Sequence, residues 1–363
     1  MIYMDILPEV EDLESIVYNC LKKYYGVKKM KKSQELKITA DRNRPNELLM
    51  LLLSEKDTFI SGEEISEKFQ VTRTAIWKQI NNLRKLGYEI ESSTKMGYRL
   101  KKSPDLLLPE EIWSKTDCFL LGNKIFYYSI IDSTNNEAKK LALSGAPSGS
   151  LVVAEGQTHG KGRLGREWSS SPGVGICASF ILKPDITPPE APRITLLTAV
   201  AVAEAIWEKA HIVAMIKWPN DILIQGKKVC GILTEMSSEP DSVNYIIVGI
   251  GINVNNDEFP EELQSKATSL KIEVGREINR IELMAGVLER MEYYYRSGLG
   301  PGFDKVIKRW RELSCNLGKA VKIIGRKEIF EGIALDVDSN GALIVKKDNG
   351  EIVKVLSGDV SLR

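Results

Sequence analysis

Fifteen residues near the middle of the chain decide which folds are open to it. Ala154 to Trp168 reads A-E-G-Q-T-H-G-K-G-R-L-G-R-E-W, and S-S-S-P-G-V-G follows, ending at Gly175. Gly160, Gly162 and Gly165 alternate with Lys161, Arg163 and Arg166. Glycine lets a backbone approach a ligand closely and turn its N–H groups inward, and interleaved cations suit a polyanion. The β-branched run Leu151 to Ala154 predicts a strand leading in, so Gly160 to Gly165 formally matches G-x-G-x-x-G after a strand. That dinucleotide fingerprint needs a helix to open at once, because the helix N-terminus holds the pyrophosphate. The turn formers Ser169 to Gly175 cannot continue a helix, and no G-K-[ST] stands at P-loop spacing. Both the doubly wound dinucleotide fold and the P-loop fold are thereby set aside. What remains is a phosphate- or nucleotide-handling loop in an α/β enzyme, closing over an anionic intermediate.

The rest of the composition narrows the partners. At 363 residues, and with about 100–200 residues per domain, two or three domains are expected. Lys+Arg 50 against Asp+Glu 49 gives no global pull toward nucleic acid or membrane, so any basic surface is local. Cys20, Cys118, Cys177, Cys230 and Cys315 form no C-x-x-C pair and read as reduced thiols. With only His159 and His211, a His-rich metal centre is excluded. The absence of a long apolar run and of a signal-peptide pattern predicts a cytoplasmic protein.

Residues 1–43 open acidic, carry Leu13, Ile16, Val17 and Leu21 at helical spacing, then turn lysine-rich. They read as an N-terminal extension with a short helix and a basic linker, and Met30 is an alternative start. Residues 44–103 read as a winged helix-turn-helix. Asn46 to Leu53 is apolar and helical; Ser61 with Glu64 forms a capping box; Thr72 caps a helix with Ile76, Ile80, Leu83 and Leu86 inside. Its other face shows Arg73, Thr74, Trp77, Lys78 and Asn81, the arrangement of a base-reading helix, with Trp77 open to a packing role. Strands at Tyr88 to Glu91 and Gly97 to Leu100 make the wing. Between Val71 and Lys102, eight Lys/Arg face two Glu.

Residues 104–316 read as a central catalytic domain of alternating strands and helices. Ser133 and Thr134 precede a helix over Asn136 to Leu143 and suit a helix cap. Ile194 to Ala210 reads as an amphipathic helix. The strand Val213 to Lys217 runs into Trp218-Pro-Asn-Asp221, which holds Lys217 ready to offer one charge to an anion or, equally, to snorkel; Asn220 and Asp221 also fit a turn. In Gly249-Ile-Gly-Ile-Asn253 the glycines leave room either for a ligand or for a close helix. Residues 317–363 switch to short hairpins and predict a small β-barrel.

Four blocks carry a specific resemblance: G-K-G-R-L-G-R-E-W at 160–168, K-W-P-N-D at 217–221, G-I-L-T-E at 231–235 and G-I-G-I-N at 249–253. In this order, between a winged helix and a terminal β-barrel, they resemble the bifunctional biotin–protein ligases that also repress the biotin operon. The resemblance covers roughly residues 44–363; Lys161 stands where the family pattern has its first arginine, so the two-pronged arginine fork is lost there. It implies an α+β chain: an N-terminal winged helix-turn-helix, a mixed-sheet ligase domain of the biotinyl/lipoyl type, and an SH3-like β-barrel. It also implies an ATP-dependent ligase that makes biotinyl-5′-AMP, with Mg²⁺ present, and passes biotin to a lysine of biotin carboxyl carrier protein. The adenylate would promote a homodimer on operator DNA. By the same resemblance Ser133, Thr134, Asn135, Gln157 and the segment Gly160, Lys161, Gly162 hold biotin. Lys217 neutralises the reacting oxygens and Arg163 retains the adenylate, each also touching biotin. Trp168, Asn220 and Asn253 meet the nucleotide, and Asp221 would assist magnesium, whose ligands are otherwise unassigned. A biotin sensor without ligase activity and a lipoate-type ligase are the alternatives.

Overall fold

The computed structural model describes residues 36–299, 302–325 and 328–362. In chain order the elements are strand β1 (Lys37–Asp41), helices α1 (Glu47–Ser54), α2 (Gly62–Phe69) and α3 (Arg73–Lys85), strands β2 (Glu89–Ser93) and β3 (Gly97–Lys102), and helix α4 (Pro109–Trp113). Then come β4 (Lys124–Ile131), α5 (Thr134–Leu143), β5 (Leu151–Gln157), β6 (Ile176–Leu182), α6 (Pro192–Ala210), β7 (Met215–Lys217), β8 (Asp221–Ile224), β9 (Lys227–Ser238) and β10 (Val243–Ile252). Helices α7 (Glu261–Gln264), α8 (Leu270–Val274), α9 (Arg280–Gly298) and α10 (Phe303–Leu313) follow, and strands β11 (Ala320–Ile324), β12 (Ile329–Val337), β13 (Leu343–Lys347), β14 (Ile352–Val355) and β15 (Asp359–Leu362) end the chain.

The chain divides into two compact units. The first, described from Arg44 to Asp105, is the winged helix. Each helix starts on a side-chain cap that satisfies an orphan N–H: Asn46 accepts from Leu49, Ser61 from Glu64 and Thr72 from Ala75. Leu48, Leu49, Leu52, Ile65, Ile76, Ile80 and Leu83 are buried between the helices. Arg84 fastens α3 to the wing by donating to the Ile90 carbonyl at 2.7 Å, and it also takes up Asn81 Oδ1 at 3.2 Å. Trp77 is 58 % exposed, so most of its ring faces solvent. Arg73, Thr74 and Lys78 are exposed beside it, whereas Asn81 is half-buried.

The second unit joins Leu36–Asn43 to Leu106 and everything after it. An eight-stranded sheet runs β1-β4-β5-β6-β10-β9-β8-β7. Only β4 and β5 pair in parallel; the other neighbours are antiparallel. One face packs Phe126, Tyr128, Val152, Ala154 and Ile247 against Ala138 and Ala142 of α5. α6 is buried on nearly every side because it touches α9, α10 and strands β7 to β9 at once. The apolar face is wider than a surface helix needs, and the charged residues are left near its ends, at Arg193, Glu204, Glu208 and Lys209. The last five strands form one antiparallel sheet, β14-β13-β12-β11-β15. Its closing strand β15 is too short and too mixed in composition to announce itself in sequence.

β1 falls in the segment read as helix and linker; the notional helix at Leu13 to Leu21 and Met30 lie outside the described residues. β1 pairs with β4 from Lys37↔Tyr128 to Asp41↔Lys124, and Arg42 donates to the Thr116 carbonyl at 2.6 Å. It thus covers a sheet edge that would otherwise offer unpaired backbone groups. Removing residues 1–43 is expected to cause self-association that rises with concentration in sedimentation velocity, without biotin or ATP. A truncated chain that sediments like the full chain at every concentration would show the β4 edge needs no cover.

Candidate functional site

Strand register alone gathers the site. Lys217 lies opposite Asp221, Asp221 opposite Gly231, Gly231 opposite Gly251 and Gly251 opposite Cys177. Directly paired residues project to one face, so these form a row across the sheet. Two residues along each strand lies a second row on that face, Leu233 opposite Gly249 and Gly249 opposite Ser179.

The second row carries a polar network reaching to the start of α5. Gln157 Oε1 accepts from the Thr134 N–H at 2.8 Å and from its hydroxyl at 3.1 Å. The Ser179 hydroxyl lies 2.8 Å from Thr134 Oγ1 and 2.6 Å from Asn135 Oδ1. Asn135 in turn donates to Glu235 at 2.7 Å and packs on Gly249, where a Cβ would come within 2.1 Å of Oδ1. So the glycine in this row makes room for a side chain of α5. Ser133 holds the N-cap position but makes no capping bond, and the helix begins at Thr134 rather than Asn136. The Thr134 hydroxyl joins the network instead of closing a helix end.

The glycine–cation loop folds back on itself through Trp168 N–H to the Gly160 carbonyl (2.8 Å) and Gly162 N–H to the Arg166 carbonyl (2.7 Å). At its tip Leu164 has φ 56° and Gly165 φ 76°, which turns the chain sharply. Arg163 points inward and donates to Asn220 Oδ1 at 3.1 Å and to the Gly358 carbonyl at 3.2 Å, while Asp359 lies 3.8 Å away. Burial pulls this guanidinium below its ordinary pKa, against the pull of Asp359 and Asp221; it stays charged at any physiological pH. Arg166 pairs with Asp359. Lys161 donates to Asn136 Oδ1 at 2.5 Å.

An inner cavity is lined by Ser133, Thr134, Asn135, Gln157, Lys161, Gly162, Arg163, Trp168 and Asn220, together with Lys228, Gly231 and Gly251. An outer cavity of about 710 Å³ adjoins it along Lys161 to Arg163 and is lined also by Gly160, Leu233, Glu235, Ile324 and Gly358. Lys217 and Asn253 line neither. Lys217 is placed by register in the first row and makes no ion pair or hydrogen bond with any described residue. Its strand end is held by Trp218, whose N–H donates to Asn316 Oδ1 at 2.6 Å and whose indole donates to the Gly341 carbonyl at 3.0 Å. Asp221 is neutralised by Lys228 at 2.6 Å, not by Lys217. Asn253 is buried and spends an amide proton on the Thr268 carbonyl.

Three contributors escaped the sequence reading. Ser179 had a signal, a lone hydroxyl within Ile176 to Leu182; Lys228, on strand β9, and Gly358-Asp359 had none. Burial pushes the Cys177 thiol up to about 11 and Cys230 higher still, so neither offers a thiolate at neutral pH. Among the described residues no group of three or more His, Cys, Asp or Glu is placed to hold a metal ion.

Comparison with known proteins places this geometry. The biotin/lipoate A/B protein ligase family matches residues 127–253, an HTH domain residues 44–99 and the biotin protein ligase C-terminal domain residues 317–363. The bifunctional ligase/repressor BirA of Bacillus subtilis is 42% identical over 318 residues, covering 87% of this chain and 98% of that protein. BirA of Escherichia coli K12 is 31% identical over 89% of this chain and 98% of its own length. The biotin protein ligase of Aquifex aeolicus, solved in complex with biotin and ATP, superposes with a TM-score of 0.58 at 33% identity, over 66% of this chain and 98% of that one. With one polar row, one glycine-lined row and a winged helix in a single chain, the protein belongs to the biotin protein ligase family, in its bifunctional ligase/repressor branch.

Proposed function

We propose that the chain activates biotin with ATP on the two rows described above and hands it to a lysine of biotin carboxyl carrier protein. The observation that carries this reading is Lys217: a half-buried side chain, fixed at a strand end, in the first row and without a carboxylate partner among the described residues. An unpaired cation so placed is costly unless an anion comes to it. Biotin lies along the polar row, held by Ser133, Thr134, Gln157 and the Gly160 to Gly162 backbone. Its carboxylate oxygen attacks the α-phosphorus of ATP, the bond to the bridging oxygen breaks, and pyrophosphate leaves. Lys217 offsets the repulsion between these two anions as they close, an electrostatic effect stronger in the transition state than before it. The carrier lysine, as its free amine, then attacks the acyl carbon and AMP leaves with the C–O electrons. No enzyme nucleophile takes part, in keeping with the protonated thiols.

Asn135 serves in this scheme as a floor for the biotin row, since its amide is committed to Ser179 and Glu235. The Asp221 carboxylate that would assist magnesium is already bound by Lys228. Labelled biotin, ATP and a carrier domain, mixed with the chain, are expected to give a labelled carrier band. A carrier left unlabelled would favour the biotin-sensing repressor, and labelling with lipoate in preference to biotin would favour the lipoate-type ligase.

The winged helix would place Arg73, Thr74, Trp77 and Lys78 in the major groove, and the adenylate-charged chain would occupy its operator as a homodimer. Arg73→Ala and Lys78→Ala are each expected to weaken operator binding about tenfold, with ligation unchanged. Loss of both activities together would mean a folding defect instead.

A further inference from the structure

The first row contains a feature that the reaction scheme does not use. Gly231 and Gly251 face each other across β9 and β10, and neither adopts the left-handed conformation that would call for glycine. What requires Gly251 is Trp168, and what crowds Gly231 is Trp168 together with the end of Lys228, both at 3.0 Å from a Cβ built there. A Cβ on Gly251 would stand 2.4 Å from Trp168 Cε2 and 2.6 Å from Nε1, and one on Gly231 would stand 3.0 Å from Cζ3. The indole thus lies directly on bare backbone. Lys228, which bonds Asp221 at 2.6 Å, holds its ammonium 5.5 Å from the ring. The backbone of Trp168 is tied to Gly160, so this side chain pins the end of the glycine–cation loop onto the sheet, beside the anchors that Lys161 and Arg163 make elsewhere.

We propose that the facing pair Gly231 and Gly251 is a seat for Trp168, and that this seat sets the affinity for ATP by fixing the indole as a platform for the adenine. The inference rests on reading this face as the nucleotide site. Gly231 and Gly251 are positioning residues: they act through the indole. A rigid aromatic surface costs no ordering when a base stacks on it, whereas a tilting one does. Lys228 is the side rail of the seat, its charge shared between Asp221 and the ring.

The test is steady-state kinetics of biotin-dependent ATP–pyrophosphate exchange in the full chain. Gly251→Ala adds one methyl with no backbone strain, and it is expected to raise the KM for ATP about tenfold, the scale of a lost base–aromatic stack. The KM for biotin is expected to stay within about twofold, because the polar row is untouched. Gly231→Ala, whose methyl meets the flexible end of Lys228 as well as the ring, is expected to act in the same direction and less. In a Trp168→Phe background the shorter ring leaves room for the methyl, so Gly251→Ala should then change the KM for ATP by less than about twofold, a non-additive cycle. An unchanged KM for ATP in Gly251→Ala, equal rises in both KM values, or full additivity with Trp168→Phe would overturn the seat. A wild-type chain with no exchange at all would instead overturn the nucleotide-site reading on which the seat rests.

Discussion

Lys217→Ala is expected to cut biotin-dependent ATP–pyrophosphate exchange by about a thousandfold, the scale of losing one preorganised charge at a developing anion. The substitution is clean because Lys217 has no ion-pair partner among the described residues to strand: Asp221 keeps Lys228, and the turn after β7 stays anchored through Trp218 and Asn316. Thermal unfolding should therefore be close to that of the unsubstituted chain, separating chemistry from stability. Biotin binding by itself should weaken far less than exchange, because the polar row at Thr134 and Gln157 is intact. Exchange within about tenfold of normal would take Lys217 out of the mechanism.

Arg163→Gly should have the second largest effect, and of a different kind. The guanidinium lines both cavities and bonds Asn220 and the Gly358 carbonyl, so it stands where the two cavities adjoin. Without it biotinyl-5′-AMP is expected to escape at least about tenfold faster, since charge-assisted hydrogen bonds of this kind are the strong ones. The released mixed anhydride would biotinylate bystander lysines, scored by blotting an added protein that is not a carrier. Labelling confined to the carrier domain would mean that something other than Arg163 retains the adenylate. Because the same side chain touches Gly358 beside β15, the variant also tests whether the C-terminal sheet helps to close the site.

What could be read from the sequence was local. The caps at Ser61 and Thr72, the buried stripe of α3 and the strand leading into Gln157 all follow from spacings of a few residues. The four glycine-bearing and lysine-bearing blocks stood out because turn chemistry and charge coincide in them. What could not be read depended on pairing partners far along the chain. Lys37 to Asp41 has no strand signature by itself and becomes a strand because β4 offers an edge. Gly249 and Gly251 gave two possible readings; the structure answers with Asn135 for one and Trp168 for the other. Asp221, read as a metal assistant, is met by Lys228 from the next strand. The width of the buried face of α6 was not legible, because its own sequence cannot show that sheet and helices pack against it together.

In the proposed scheme the two activities would meet in one quantity, the amount of adenylate held in the rows of the central sheet, and this offers the most direct test. An operator duplex, selected from random DNA by the chain charged with biotin and ATP, would be held in complex while a carrier domain is titrated in. Operator occupancy and carrier labelling would be read from the same samples. The account predicts that DNA is released in step with biotin transfer, because each transfer empties the site that favours the operator-bound form. Carrier labelled to completion while the operator stays fully bound, with ATP exhausted, would contradict it.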